Sequence, residues 1–275
     1  MADIWKSMTY ECPKVMGILN VTPDSFYDGG TYSTAKDIEK RIQKMVVDGA
    51  DIIDIGGYSS RPGAKDIDEQ EELRRLELPL TIIKNTFPEL PVSIDCFRLS
   101  VIKHIVESFG PIMINDISGG NYDNEMMQYA ANNDLPYVCM HMQGNPQTMQ
   151  QNPHYTNVVE EVLNFFKNKI AYAKSIRLRQ CIIDPGFGFG KTVEQNYALM
   201  NQLEQFVQLG CPVLVGISRK SMIQNTLHCT ADEALNGTTI LNTIAIAKGA
   251  SIIRVHDVKE AKEVVALSNI FAHKN

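Results

Sequence analysis

Eight short apolar runs of this 275-residue chain each end in side chains able to bind or ionise. In order they are Asn20, Asp54, Asp95, Asn115 with Asp116, His141, Asp184, Ser218 with Lys220, and Arg254 with His256. One polar residue at a strand end is unremarkable, because every strand must leave the core somewhere. Eight in succession, all at carboxyl ends, form the pattern of a barrel that carries its site on one face. Capping of the following helix by Asp, Asn or Ser is the competing explanation. It serves equally well for Asp116 and Ser218, but it does not account for the cations Lys220 and Arg254.

The chemistry divides into two sets. Asp95, Asn115, Asp184 and Lys220 would converge from different strands on one small volume. Two carboxylates, an amide and an ammonium can read a flat heterocycle, because a carboxylate accepts a ring N–H and an exocyclic amine together. Asn20, Arg61, Ser218, Arg254 and His256 suit an anion. Arginine favours bidentate phosphate contact, histidine adds a tunable charge, and Asn20 offers a hard oxygen to magnesium.

The segment DPGFGFGKT (184–192) looks like a phosphate loop, but Pro185 stands where that motif needs a glycine. The dinucleotide fingerprint fails too, with glycines at 186, 188 and 190. Two readings remain: backbone that approaches a ligand with Phe187 or Phe189 as a wall, or a glycine-rich turn with core phenylalanines. In MHMQGNPQTMQ (140–150), Met140 is either a core residue or a wall for a flat ring, and His141 reads as structural.

The elements that must position these groups follow from the same runs. VMGILNV, DIIDIGG, VSIDCF, IMINDIS, YVCMHM, CIIDPGF, PVLVGIS and SIIRVHD read as strands buried on both faces, the habit of parallel sheets. Helical patterns lie between them. The clearest is capped by Thr34, with Asp37 three residues on, places Ile38, Ile42, Met45 and Val46 on one face and stops at Gly49. Gly110, Gly210 and Gly249 hold the same stop position later on. GADIIDIGG (49–57) and GASIIRVHD (249–257) are near copies, as repeated βα units would be. The alternation predicts one (β/α)8 barrel domain over 1–275, with 1–14 as a leader; a doubly wound open sheet is the alternative. Long strand-to-helix loops are expected at 21–33, 57–68 and 142–155.

A formal charge of −6 argues against a general nucleic-acid or acidic-membrane binder. The six cysteines contain no C-x-x-C pair and read as free thiols in a reducing compartment. No apolar run reaches 18 residues and the N-terminus has no signal-like stretch, so a cytoplasmic protein is expected.

GILNVTPDSFYDGG, SIDCFR, INDISGG, MHMQGNP, IIDPGFGFGKT, GISRKS and RVHDV, in this order, resemble the motifs of the dihydropteroate synthases over roughly residues 14–268. The resemblance implies a (β/α)8 barrel that condenses 7,8-dihydropterin-6-ylmethyl diphosphate with 4-aminobenzoate, assisted by Mg²⁺, in folate biosynthesis. It assigns the pterin to Asp95, Asn115, Asp184 and Lys220, flanked by Met140 and Phe189. It assigns the diphosphate to Asn20, Arg61, Arg254 and His256, with Asn20 acting through Mg²⁺. Phe26, Ser60, Pro62, Lys220 and Ser221 would shape the aminobenzoate site. On this likeness TPDSFYDGG is a lid; Asp24 and Asp28 either cap a turn within it or reach a cation. The implied mechanism is dissociative, with diphosphate leaving before the arylamine attacks, and Asp95, Lys220 and Asn20 as the catalytic groups. A homodimer and sulfonamide competition are further implications.

Three positions depart from the family pattern. GGYSSRPGA (56–64) has Tyr58 for a glutamate and Ser60 for a threonine, and Cys96 replaces the threonine usual after the aspartate. Ser60 keeps the hydroxyl; Tyr58 removes a charge, which leaves that loop's partners and closed form open. Two other functions compete: a methyltetrahydrofolate-corrinoid methyltransferase, for which the chain has no D-x-H-x-x-G cobalamin motif, and a non-catalytic pterin-binding paralogue.

Overall fold

In the computed structural model, residues 5, 7–22, 35–59, 66–144, 149 and 153–272 are described. Eight parallel strands run β1 (Lys14–Asn20), β2 (Ile52–Gly56), β3 (Val92–Asp95), β4 (Met113–Asp116), β5 (Tyr137–Met140), β6 (Cys181–Asp184), β7 (Leu214–Val215) and β8 (Ile252–Val255). Their order in the sheet is β6-β5-β4-β3-β2-β1-β8-β7. A parallel bridge between Ile183 and Val213 brings the two ends together, so the sheet is a nearly closed (β/α)8 barrel rather than an open one. The near-copy segments form β2 and β8, which flank β1 on either side.

The alternation of side chains along each strand explains why the site lies where it does. Met16, Ile52, Met113, Val138, Ile182, Leu214 and Ile252 point inward and fill the amino-terminal end of the barrel. Trp5 seals that end, 3% exposed, and its carbonyl accepts from the Gln180 amide at 2.9 Å. Two residues further along these strands stand Ile18, Asp54, Asn115, Met140, Asp184, Gly216 and Arg254. On β3 the same face carries Ser93 and then Asp95, and on β1 a second step from Ile18 reaches Asn20. The inward face therefore changes from apolar to polar within one pleat. The other face packs Val15, Leu19, Ile53, Ile94, Ile114, Ile183, Val215 and Ile253 into the larger core beneath the helices. This double burial is why the strands read as unbroken apolar runs.

Helices α1 (Ala35–Val47), α2 (Glu69–Thr86), α3 (Leu99–Phe109), α4 (Met126–Asn132) and α5 (Val158–Ser175) follow β1 to β5 in turn. After them come α6 (Val193–Asn201), α7 (Leu203–Val207), α8 (Ser221–Leu227), α9 (Leu235–Ala247) and α10 (Val258–Ala272). Helix α1 buries Ile38, Ile42 and Met45 as its spacing predicts; the expected cap Thr34 lies outside the described residues. Gly49, Gly110, Gly210 and Gly249 all have positive φ at helix ends, where a side chain would be strained. The six cysteines are free thiols. No helix among the described residues is long and apolar enough to cross a membrane.

Candidate active site

A cavity of about 550 Å³ opens at the carboxyl ends of the strands. Asn20, Asp95, Asn115, Met140, Asp184, Phe189, Ser218, Lys220, Ser221, Arg254 and His256 all line it. The expected residues Phe26, Ser60, Arg61 and Pro62, with Asp24 and Asp28, lie outside the described residues. Tyr58, Ser59, Thr22, Ile117 and Met149 also line it; the last three lie within the quoted motifs but were given no role of their own.

Arg254 ties the floor together. Its Nε donates to Asp54 at 2.6 Å and its Nη2 to Asp95 at 2.8 Å. The Asn115 amide donates to the same Asp54 oxygen at 3.0 Å. The sequence reading placed Arg254 with the anion-binding set, whereas its guanidinium joins that set to the heterocycle-binding one. Asp54, recognised as a strand end but given no role, is fully buried and orients both Arg254 and Asn115.

Lys220 reaches in from the loop before α8, donating to the Phe187 carbonyl, with its ammonium 4.6 Å from the centre of the Phe189 ring. Phe187 is fully buried and Phe189 faces the cavity, so each reading of the glycine-rich segment holds for one phenylalanine. Gly186 is required there: its φ is +70°, and a Cβ would sit 1.9 Å from the His141 carbonyl oxygen. Lys191 fixes the same turn. Its buried ammonium contacts the carbonyls of Gly186 and Phe189 at 3.0 Å each and His141 Nδ1 at 3.1 Å. That makes His141 structural, as its context suggested, and gives Lys191 a role that sequence reading missed. Met140, 2% exposed, packs beside Ile117 and Phe189 and still contributes to the wall.

Asp116 points elsewhere. It accepts from the Ser118 N–H, the Gly120 N–H and the Tyr137 hydroxyl, and so holds the turn after β4. Ser218 bridges to the other site element at β8. Its oxygen accepts from the His256 N–H at 3.1 Å and lies 3.0 Å from His256 Nδ1. With the hydroxyl proton directed to Nδ1, the ring N–H is on Nε2.

Burial sets the ionisation of the floor. It raises Asp95 to about 7, with Asp54 and Glu72 adding to the rise and Arg254 and Lys220 opposing it. Asp184 is raised for the same reason, against the pull of Lys220 and its hydrogen bond from the Gly186 N–H. Lys220 falls to about 8, because burial and Arg254 outweigh Asp184 and Asp95. His256 falls to about 3, first through burial and then through Arg254 and Arg219. The charge expected of His256 is therefore absent at neutral pH, and its imidazole acts as a neutral donor.

Among the described residues, no group of three or more His, Cys, Asp or Glu side chains is placed to hold a metal ion. The Asn20 side-chain oxygen borders the cavity, 3.1 Å from where a Cβ on Gly56 would stand. One amide oxygen fits a magnesium ion that takes its remaining ligands from substrate phosphate and water, the usual habit of that ion.

Residues 16–256 match the family model described as pterin binding enzyme. The chain is 43% identical over 261 residues to the dihydropteroate synthase of Escherichia coli strain K12, covering 94% of this chain and 92% of that one. A Yersinia pestis dihydropteroate synthase solved as a sulfonamide drug complex superposes with a TM-score of 0.89 at 37% identity, covering 96% of each chain. The Xanthomonas albilineans enzyme solved with 4-aminobenzoic acid gives 0.88 at 36% identity, covering 98% of this chain and 96% of that one.

Proposed function

The chain belongs to the pterin binding enzymes and, within them, to the dihydropteroate synthases, and we propose that its cavity joins 7,8-dihydropterin-6-ylmethyl diphosphate to 4-aminobenzoate by a dissociative route. One observation carries the reading. Asp95, Asn115 and Asp184, from the ends of three strands, and Lys220, from the loop after β7, line one cavity between Met140 and Phe189. That set matches the edge of a pterin in hydrogen-bonding capacity, and the two flanking side chains match its faces.

Asp184 and Asn115 hold the pterin edge, and Lys220 donates to a ring acceptor. As diphosphate leaves, positive charge spreads over the pterin and its exocyclic methylene. Asp95 then faces that charge as a half-buried carboxylate, fixed in place by Arg254 before the reaction begins. Arg254 and the His256 Nε2–H lie at the β8 end of the cavity, suited to the departing anion. A magnesium ion held by Asn20 and the substrate phosphates would neutralise part of the charge on the leaving group. The arylamine is a nucleophile without prior deprotonation, so no covalent enzyme intermediate is needed. Sulfonamides, which share its aryl amine, would compete for its place.

A homodimer is supported by one surface. Ile240 and Ile244 on α9, and Leu267, Ile270 and Phe271 on α10, are exposed on two helices that pack together. Sedimentation of wild type against Ile244→Glu with Ile270→Glu tests it, and an unchanged dimer would move the interface elsewhere.

The catalytic reading is tested with purified protein, pterin diphosphate, 4-aminobenzoate and Mg²⁺, following diphosphate release. Release that depends on aminobenzoate is expected. Pterin binding without it would overturn the proposal. Asp95→Asn should keep the fold and lose most turnover.

A further inference from the structure

Residue 58 departs from the family pattern by losing a carboxylate, yet its aromatic ring faces a cation. Its partner is Arg98, three residues past Asp95, which is 8% exposed and does not line the main cavity. The Arg98 guanidinium lies 5.2 Å from the centre of the Tyr58 ring and the same distance from that of Phe97. Those two rings meet edge to face at 5.1 Å. The same guanidinium donates to the Ile67 carbonyl at 2.8 Å and faces the Asp66 carboxylate at 3.5 Å. Its Nη1 donates to Glu72, which is fully buried in the first turn of α2. The Arg98 backbone is pinned as well, its N–H donating to Cys96 Sγ at 3.3 Å.

One side chain therefore grips both described ends of the β2–α2 connection, Tyr58 on one side and Asp66 with Ile67 on the other. It does so from the strand end that presents Asp95. A guanidinium already shared by Glu72 and Asp66 has little use for a third carboxylate. An aromatic ring offers it a face instead, without adding charge. Tyr58 and Ser59, just ahead of the residues that the family likeness assigns to aminobenzoate and diphosphate, line the main cavity.

We propose that Arg98 is a positioning residue for the second substrate, holding both ends of the β2–α2 connection in register with the Asp95 strand end. The proposal rests on the synthase reading. Its role is to fix the aminobenzoate side of the cavity while leaving the pterin floor alone. Arg98→Lys keeps a charge opposite Glu72 but loses the planar fork and the ring stacking, and Arg98→Met loses all three.

The test is calorimetric affinity for 4-aminobenzoate in the presence of a pterin and inorganic diphosphate, beside affinity for the pterin alone and the steady-state constants. Arg98→Met should weaken aminobenzoate binding and raise its KM about tenfold or more, with Arg98→Lys in between. Pterin affinity should stay within about twofold in both, because its ligands are untouched. Aminobenzoate affinity unchanged in both variants would overturn the proposal. An equal loss of pterin affinity would also overturn it, because it would mean general loosening. A wild type that binds pterin and aminobenzoate but makes no product would overturn the synthase reading instead, and the binding comparison would still decide the role of Arg98.

Discussion

Replacing Arg254 by methionine leaves two carboxylates of the barrel floor without their cation. Asp54 is fully buried and keeps one contact, the Asn115 amide at 3.0 Å. Asp95 has a side chain one-fifth exposed and loses the 2.8 Å bond to Nη2. Methionine follows the arginine stem closely, so the loss is electrostatic rather than a matter of packing. Breaking a buried pair from one side costs about 3–5 kcal/mol, because the remaining charge has lost its counterion. Asp54, the deeper of the two, carries most of that cost. For a chain of this size the thermal midpoint should fall by roughly 10 °C. The assay is urea unfolding by circular dichroism, with thermal scans, on Arg254→Met, Asp54→Asn and the double variant. Asp54→Asn in the methionine background removes the stranded charge and still offers Asn115 an oxygen. It should restore at least about 2 kcal/mol, a coupling that only interacting residues show. Turnover should not return, since the diphosphate side still lacks its cation. Arg254→Met within about 1 kcal/mol of wild type, or a double variant no more stable than it, would refute a network bound through Asp54.

Three further outcomes follow from the same geometry. The pH profile of kcat/KM for the pterin should be a narrow bell. The anionic form of Asp95 is gained above about 7, and the ammonium of Lys220 is lost above about 8. A flat profile would remove both groups from the chemistry, and Lys220→Met should abolish the alkaline limb. Gly186→Ala forces a Cβ to within 1.9 Å of a carbonyl oxygen at φ +70°. It should cost more than about 2 kcal/mol and weaken pterin binding, measured by melting and titration, because Phe189 and Asp184 share that turn. Trp5→Ala should cost about 3–5 kcal/mol while leaving turnover per folded molecule unchanged, since Trp5 closes the end of the barrel opposite the cavity.

The barrel was legible because its strands are buried on both faces and punctuated by polar ends, and both signals are local. The site was legible by residue type for the same reason: Asp95, Asn115 and Asp184 stand at strand ends. Partnership was not legible. Arg254 meets Asp54 across 200 positions of sequence, and only the pairing of β8 with β1 brings it within reach of Asp54 on β2. His256 looked like a titrating group at neutral pH because histidine usually is one. Burial beside two arginines makes it neutral, and no spacing rule encodes that. Arg98 stands inside the quoted motif SIDCFR but received no role, because nothing in its neighbourhood of sequence shows what it touches. Its partners Glu72, Tyr58 and Ile67 belong to the preceding βα unit.

The division of charge in the cavity argues for the order of steps in the proposed mechanism. Among the described residues, the floor sets the carboxylates Asp54, Asp95 and Asp184 against the cations Arg254 and Lys220, while Arg219 at the rim is paired with Asp257. Each cation is engaged: Arg254 by two of the carboxylates, Lys220 by the Phe187 carbonyl. Such a floor gains less from an added anion than from a heterocycle that becomes positive. Asp95, raised toward neutrality by burial and by Asp54, is the group whose ionisation a developing cation would reward most. The imidazole of His256 is neutral, so its N–H can bind the departing diphosphate without holding it as tightly as an ion pair would. Charge separation is thus favoured at the pterin and only lightly resisted at the leaving group, which suits departure before attack. A concerted displacement would need the arylamine aligned before any cation formed. It would give Asp95→Asn a modest effect, whereas departure first makes that substitution the most damaging on the floor.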